Sequence, residues 1–545
     1  MTKRLQVRSI LQRPFLLSLL LLCSIAGVSQ SKETSDAGGR VVLVLPFDNR
    51  SGQPALAWVG DSFPDTLNQR LSSAGFLTLT REDRQYALDH LGLPVDFRPS
   101  RATTIRIAQN LDADFVIVGS FNVINGRIAV QAQVLEVKNF KLSAPLQDSS
   151  ELNRLFDVEN AIAWKVARQI DPHFNVAQQT FLAAAGGVQL SAFENYIRGT
   201  DAPTSQERIK RLQAAITTDP NYPAALLALG KAQYDEREYD QAAATFARIP
   251  QTDRRALEAG FYIGLSRFNT AKYAEAESAF SFVASRLPLP EVVNNQAVAS
   301  SRQGHNAVPL FQRASTADPN DPDYHYNLAV ALFRQGDFAG AKREVDLTLK
   351  LRPVDTEATQ LKASISAGRK PPVPTASATD TIASTTDFAP LERIRRTYSE
   401  ASFRQAAFEL DQMRAMRLAT LPPAEQAAEY TRQGHEYLSQ GLVPEAEQEF
   451  QTAIAADASN AEAHAGLAQV RERSGNPADA RAEAQNSIKL HPNVTAYLVL
   501  ARLDLQTNDA SASAGNVSKA LQLDPKDSAA QGMRQALQAR GQSLP

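Results

Sequence analysis

Cysteine is almost missing from this chain: its 545 residues hold one, Cys23, inside an apolar N-terminal run. The sequence beyond that run therefore has no thiol, which excludes a disulfide, a thiolate metal site and a cysteine nucleophile there. Charge of one sign is missing too. Lys and Arg total 57 against 59 Asp and Glu, a net charge of -2, so no basic surface for nucleic acid or anionic membrane is expected. Histidine is sparse, and none of His90, His173, His305, His325, His435, His464 and His491 has a partner at a metal-ligand spacing such as H-E-x-x-H. Glycine-rich loops are lacking: there is no phosphate loop, no dinucleotide fingerprint and no serine flanked by glycines as in a nucleophile elbow. The acidic stretch from Asp318 to Asp323 lacks the central glycine and distal glutamate of a calcium loop. These absences leave no expected catalytic residue, cofactor or metal.

What is present begins with a leader. Lys3, Arg4, Arg8 and Arg13 precede the apolar run FLLSLLLLCSIAGV, and Gly27 and Ser29 are spaced for cleavage after Ser29. Residues 1–29 thus read as a signal peptide, with Ser24 and Ala26 offering a second cleavage site. The run is shorter than the ~20 residues of a spanning helix, and no later segment is apolar for long enough to span. An exported, periplasmic protein is the expectation. The alternatives are a retained N-terminal anchor and a lipoprotein acylated at Cys23, although Leu22 is large for the position before an acylated cysteine.

Residues 40–172 read as an α/β unit. RVVLVLPF is a Val- and Leu-rich strand stopped by a proline. Leu56, Val59, Phe63, Leu67 and Leu71 then recur at helical spacing, with Pro64 inside the pattern, so a helix restarting at a Ser62 cap is expected. FLTLTR is a second strand. Two short helices follow, the first closed by Gly92 and the second placing Ile105, Ile107 and Leu111 inward. DFVIVGSFNVINGRIAVQAQVLEV is a hairpin, because Asn125-Gly126 supplies the positive φ of a tight turn. A last helix runs from about Glu151 to Ile170. The order predicts a small mixed sheet with flanking helices, an α+β class. In VLPFDNRSG, Asp48 and Asn49 suit a turn in which their side chains bond local backbone.

Three stretches taken together, VLPFDNRSG, VGDSFPDTLNQRLSSAGFLTLTR and IAQNLDADFVIVGSFNVINGRIAVQAQVLEV, resemble the TolB amino-terminal-type domain. The family shows a strand ending in L-P-F, an N-x-S-G-like loop, a helix, then A-D-F/Y-V-I/L-x-G-S and a hairpin. The resemblance implies a binding or assembly domain without established chemistry. It also implies the company of exported proteins and of regulators fused to tetratricopeptide arrays.

From Ser191 the text turns Ala-rich and helical, with a period of about 34 residues, the tetratricopeptide length. The fullest copy contains Leu328, Ala329, Gly336, Phe338, Ala341, Val345 and Pro353, and the same spacing recurs around Gly230, Gly264, Gly434 and Leu467. The small residues are expected to let the two helices of a repeat approach, and the aromatic ones to fill the gap to the next. An all-α tetratricopeptide solenoid in two arrays follows. The first spans 191–368, a Pro/Ser/Thr/Ala-rich linker spans 369–390, and the second spans 391–530 with a degenerate first repeat around Phe403, Ala406 and Leu410. A tail covers 531–545.

A concave wall of this kind is lined by outward residues of the first helix of each repeat. By position these are Lys231, Tyr234, Phe261, Phe268, Tyr326, Phe333 and Arg334 in the first array, with His435 and Leu438 in the second. Aromatics with Arg or Lys suit a peptide groove, although packing between repeats accounts for the same residues. The functional expectation is a non-enzymatic scaffold that binds protein or peptide partners. The alternative is an envelope assembly or secretion component whose α/β domain self-associates.

Overall fold

The computed structural model describes residues 40–94, 100–183, 187–368, 389–396 and 413–543. The signal peptide read at 1–29, the linker up to residue 388 and the positions Phe403, Ala406 and Leu410 lie outside them.

The N-terminal domain runs β1 (Val41–Val44), β2 (Asp48–Asn49), α1 (Ala57–Ser73), β3 (Leu77–Leu79), α2 (Arg81–His90), α3 (Arg101–Asn110), β4 (Phe115–Ile124), β5 (Arg127–Glu136), β6 (Lys141–Leu142), β7 (Leu146–Glu151) and α4 (Leu155–Ile170). Sheet order is β3-β1-β4-β5-β6, with β1 parallel to both neighbours and β4 antiparallel to β5. Successive strand residues face opposite layers. Val42 and Val44 therefore pack with α1 and α4, while Leu43 and Leu45 pack with α2 and α3. At the hairpin turn both Asn125 and Gly126 have positive φ, 50° and 77°, as the sequence predicts. The strand β7 (LQDSSE) was not legible in the sequence, because its polar residues give no apolar period; it pairs with β5 and displaces the expected start of the last helix to Leu155.

The proline in α1 corrects another expectation. The helix does not restart at Ser62 but runs unbroken through Pro64. A proline has no N–H for the carbonyl four residues back, so Gly60 O is left free, and it accepts the Phe47 N–H at 3.0 Å. Gly60 has no Cβ, and one built there would collide with the Phe47 carbonyl. Phe47 then stacks on Phe63, with ring centroids 4.2 Å apart. The L-P-F strand end is thus clamped onto the helix. The loop that follows is an Asx turn: Asn49 Oδ1 accepts from the Ser51 N–H at 3.0 Å and from its hydroxyl at 2.6 Å.

Glu159 of α4 is fully buried, and its carboxyl lies against the hydroxyls of Ser62 and Thr66. Ser62 Oγ also sits 2.8 Å from Val59 O. A hydroxyl has one proton, so a protonated Glu159 that donates to Ser62 resolves the competition. Burial pushes this carboxyl up to about 8, against the two hydroxyl hydrogen bonds. Because the folded state holds the proton more tightly, this contribution to stability is complete below about pH 4.5. It is lost as pH rises toward about 8, at up to about 1.4 kcal/mol per pH unit. Melting temperature is expected to fall from pH 5 to pH 8, and Glu159→Gln to flatten that slope. An unchanged slope in thermal melts of the variant would refute the assignment.

Beyond α4 the helices pair as repeats. Leu190–Thr200 pairs with Ser205–Thr218, Pro223–Asp235 with Tyr239–Phe246, and Ala256–Asn269 with Tyr273–Ala284. Pro290–Arg302 pairs with Val308–Ala317 and Pro322–Gln335 with Phe338–Leu351, and Thr356–Ser366 closes this array. The second array pairs Pro423–Ser439 with Val443–Ala456, Ala461–Arg473 with Pro477–Leu490, and Val494–Gln506 with Ala510–Leu523. The expected tail is helical in its first part: Ser528–Ala539 caps the array, with Leu537 buried. The small-residue rule has a direct cause. A Cβ on Gly230, Gly264 or Gly434 would lie 2.5, 2.6 or 2.6 Å from the ring of Phe246, Phe280 or Phe450 on the paired helix.

The arrays do not stand apart from the first domain. Trp58 and Phe193 meet edge-on, and Tyr196 donates its hydroxyl proton to Asp65 at 2.7 Å. From the second array, Glu447 Oε1 accepts the Ala177 N–H at 3.1 Å, just before the helix Gln178–Ala183. Glu445 pairs with Arg254 of the first array at 3.2 Å.

Candidate peptide-binding groove

The sequence places a helix from Leu391 onward. Residues 389–396 instead form no helix; they lie along the inner wall of the first array, with Arg393 and Arg395 turned to the same side. Helix propensity in LERIRR is outweighed by tertiary partners, which engage both its backbone and its side chains.

The backbone is read by asparagines. Asn327 Oδ1 accepts the Arg393 N–H at 2.7 Å, and its Nδ2 donates to Arg393 O at 2.7 Å. Asn295 treats Arg395 identically, with both bonds at 2.8 Å. Residues two apart in an extended chain face the same way, so one asparagine per repeat can hold alternate peptide units. Asn294 braces the arrangement: it donates to Arg393 O at 3.1 Å and accepts from Asn327 Nδ2 at 2.8 Å. All three asparagines have no exposed surface. A buried amide costs free energy unless it is bonded, and beneath the segment the Arg393 and Arg395 backbone groups supply those bonds.

The side chains are sorted by charge. Glu392 enters a basic end, where Arg334, Arg302 and the Ser301 hydroxyl surround its carboxylate and Arg334 also donates to Pro390 O at 2.7 Å. Arg393 and Arg395 enter an acidic end. Arg393 pairs with both oxygens of Asp355, at 2.7 and 2.8 Å, and with Asp323 and Glu357 at 2.8 Å. Arg395 pairs with Asp321 and Asp323. The hydrogen bonds from Arg393 hold the Asp355 carboxyl below its usual range. The Arg393 guanidinium lies 3.8 Å over the Tyr326 ring, a cation–π contact, and Arg395 lies 5.2 Å over Tyr324. Ile394 packs with Phe268 against the cores of adjoining repeats.

Of the residues expected to line the wall, Tyr326 and Arg334 touch the segment and Phe268 shares its apolar seam. Tyr234 sits between Tyr239 and Tyr262, and Lys231 pairs with Glu258 at 3.1 Å. The other four sit in or beside the packed cores. Phe261 and Phe333 are buried between helices, edge-on to Phe280 and Phe338. Leu438 is buried in the second array, and His435 lies half-buried against Phe450. Large aromatics at these positions are core because the helices pack on both flanks. The asparagines were missed, although a signal existed: Asn294 and Asn327 recur at nearly one repeat period in otherwise Ala- and Val-rich helices.

The carboxylates Asp61 and Asp65, one turn apart on α1, lie at the junction with the repeats, where Tyr196 donates to Asp65. Burial raises Asp61 to about 6, helped by Asp201 and opposed by Arg81 and Arg84. Among the described residues no group of three or more His, Cys, Asp or Glu is arranged to hold a metal ion, and no helix is long and apolar enough to cross a membrane.

Comparisons with known proteins match the repeats by family model. Tetratricopeptide repeat family models match residues 209–259 and 299–365, and residues 431–493 and 468–528. Among solved structures, a tetratricopeptide repeat protein from Parabacteroides merdae is 12% identical, covering 57% of this chain and 97% of that one, with a TM-score of 0.25. The LpoB C-terminal domain from Salmonella enterica is 22% identical, covering 21% of this chain and 83% of that one, with a TM-score of 0.18. A putative adenylate cyclase 3 from Rhizobium meliloti is 22% identical over 191 residues, 34% of this chain. The chain spans 31% of that relative's length.

Proposed function

We propose that this chain, built on tetratricopeptide repeats, is a non-enzymatic scaffold that captures extended segments of partner proteins in the groove of its first array. The observation that carries this reading is the asparagine pair Asn295 and Asn327, buried and bonded to both backbone groups of alternate residues. Such a wall binds main chain whatever the side chains, and the charged ends add selectivity. The second array, held to the first domain through Glu447 and to the first array through Glu445, fixes the platform from which the groove is presented. Export to the periplasm, as the leader suggests, would make envelope proteins the partners, and a TolB-type domain at the N-terminus would suit the same setting.

A photo-crosslinking amino acid placed at Phe268, beside the groove, is expected to give adducts with other proteins in cells of the source organism. The same group at the exposed Leu347 is expected to give none. Adducts from Leu347 alone, or identical products from both positions, would overturn the reading. Self-association of the α/β domain, which exposes Tyr86, Ile124 and Phe140, is the second reading.

A further inference from the structure

The groove is filled by the chain itself, and the chemistry of that filling describes a ligand. We infer that the groove's external partner is an extended segment bearing an acid, an arginine, an apolar residue and an arginine in consecutive positions, and that residues 390–395 occupy its place until it displaces them. The inference rests on the peptide-binding reading above and deepens it.

Three observations support displacement by a like segment. Asn295 and Asn327 bond only main-chain groups of the occupant, which any extended peptide supplies at the same register. The groove is electrically polar: Arg302 and Arg334 at one end suit an acid, and Asp321, Asp323, Asp355 and Glu357 at the other suit two arginines. The apolar side chain between the two arginines, here Ile394, packs against the buried cores of adjoining repeats. A uniformly acidic or uniformly basic peptide would meet like charge at one end. The own segment is also joined to the array it fills through a Pro/Ser/Thr/Ala-rich stretch. Such a tether sets an effective concentration on the order of millimolar, enough to hold the groove closed against a weak competitor and to yield to a stronger one.

The test uses the full chain and a fluorescein-labelled, end-capped peptide of sequence APLERIRR, read by fluorescence anisotropy. Three proteins are compared: wild type, a variant with a weakened own segment (Glu392→Ala, Arg393→Ala, Arg395→Ala), and that variant carrying Asn295→Ala and Asn327→Ala as well. Circular dichroism melts confirm that each is folded. The labelled peptide is expected to bind the weakened variant about 10- to 100-fold more tightly than wild type, and to lose binding when the asparagines are removed. Equal binding to wild type and the weakened variant would overturn occupancy by the own segment while leaving a peptide groove intact. A shuffled peptide that binds as well as APLERIRR would overturn the acid–arginine–apolar–arginine pattern. No binding to any of the three proteins would overturn the inference; adducts from Phe268 in cells would then still uphold the broader scaffold reading.

Discussion

Replacing Asn295 and Asn327 together with alanine is expected to release residues 389–396 from the wall and to speed amide exchange at Arg393 and Arg395 by at least about thirty-fold. The substitution removes four hydrogen bonds between side-chain amides and backbone. Each contributes about 0.5–1.5 kcal/mol net, so at least about 2 kcal/mol of docking free energy is lost. The ionic contacts of Arg393 and Arg395 remain, but they hold the side chains and leave the backbone N–H groups without their acceptors. Amide exchange read by mass spectrometry with residue-level fragmentation measures this directly. Exchange in α1 and in the helix Val494–Gln506 serves as the control and is expected not to change. If protection at Arg393 and Arg395 survives the double substitution, the asparagines are not what holds the backbone.

The second large effect is expected from Phe450→Ala. Its ring has no exposed surface and fills the space between two helices at once, because Gly434 and Gly466 both face it without a Cβ. Removing a buried phenylalanine costs about 3–5 kcal/mol when the surroundings cannot collapse. Here the neighbours are held by helix geometry on both sides, which favours the upper part of that range. In a repeat array each unit is stabilised mainly by its neighbours, so the loss is expected to spread across the helices Pro423–Ser439 and Ala461–Arg473. The helix Val443–Ala456 also carries Glu447, which meets Ala177 and pairs with Arg471 at 2.8 Å. Urea unfolding should therefore show an earlier transition for the second array, with the N-terminal sheet unfolding later. A midpoint within error of wild type would mean that the cavity refills. A Gly466→Ala variant should lose stability by the opposite route, a methyl pressed into the same ring.

How much of this was legible in the sequence depends on what each feature needs. The solenoid was legible because its determinants are local and periodic: Gly230, Gly264 and Gly434 stand opposite Phe246, Phe280 and Phe450, and each pair recurs at a fixed distance along the chain. The hairpin was legible because Asn125-Gly126 is itself the turn. Features set by distant partners were not. Pro64 looks like a helix start, and only the Phe47 N–H arriving from β1 explains why it sits inside α1. LERIRR carries good helix formers, and nothing nearby reveals that Asp355, Asn327 and Asn295 will draw it out straight. The groove was partly legible. Tyr326 and Arg334 follow from their places on the first helix of a repeat, whereas Phe261 and Phe333 share the same type of place and turn into the core. Residue type at a position did not distinguish wall from core; the crossing of neighbouring helices does.

Residue-level amide exchange on the unmodified chain tests most directly whether the groove holds its own extended segment. The groove hydrogen bonds fall on the N–H groups of Arg393 and Arg395. Slow exchange at those two residues, with exchange at the intervening Ile394 at least about tenfold faster, is the expected pattern for a strand held on one edge. Fast exchange throughout 390–396, or the uniformly slow exchange of a helix, would contradict it.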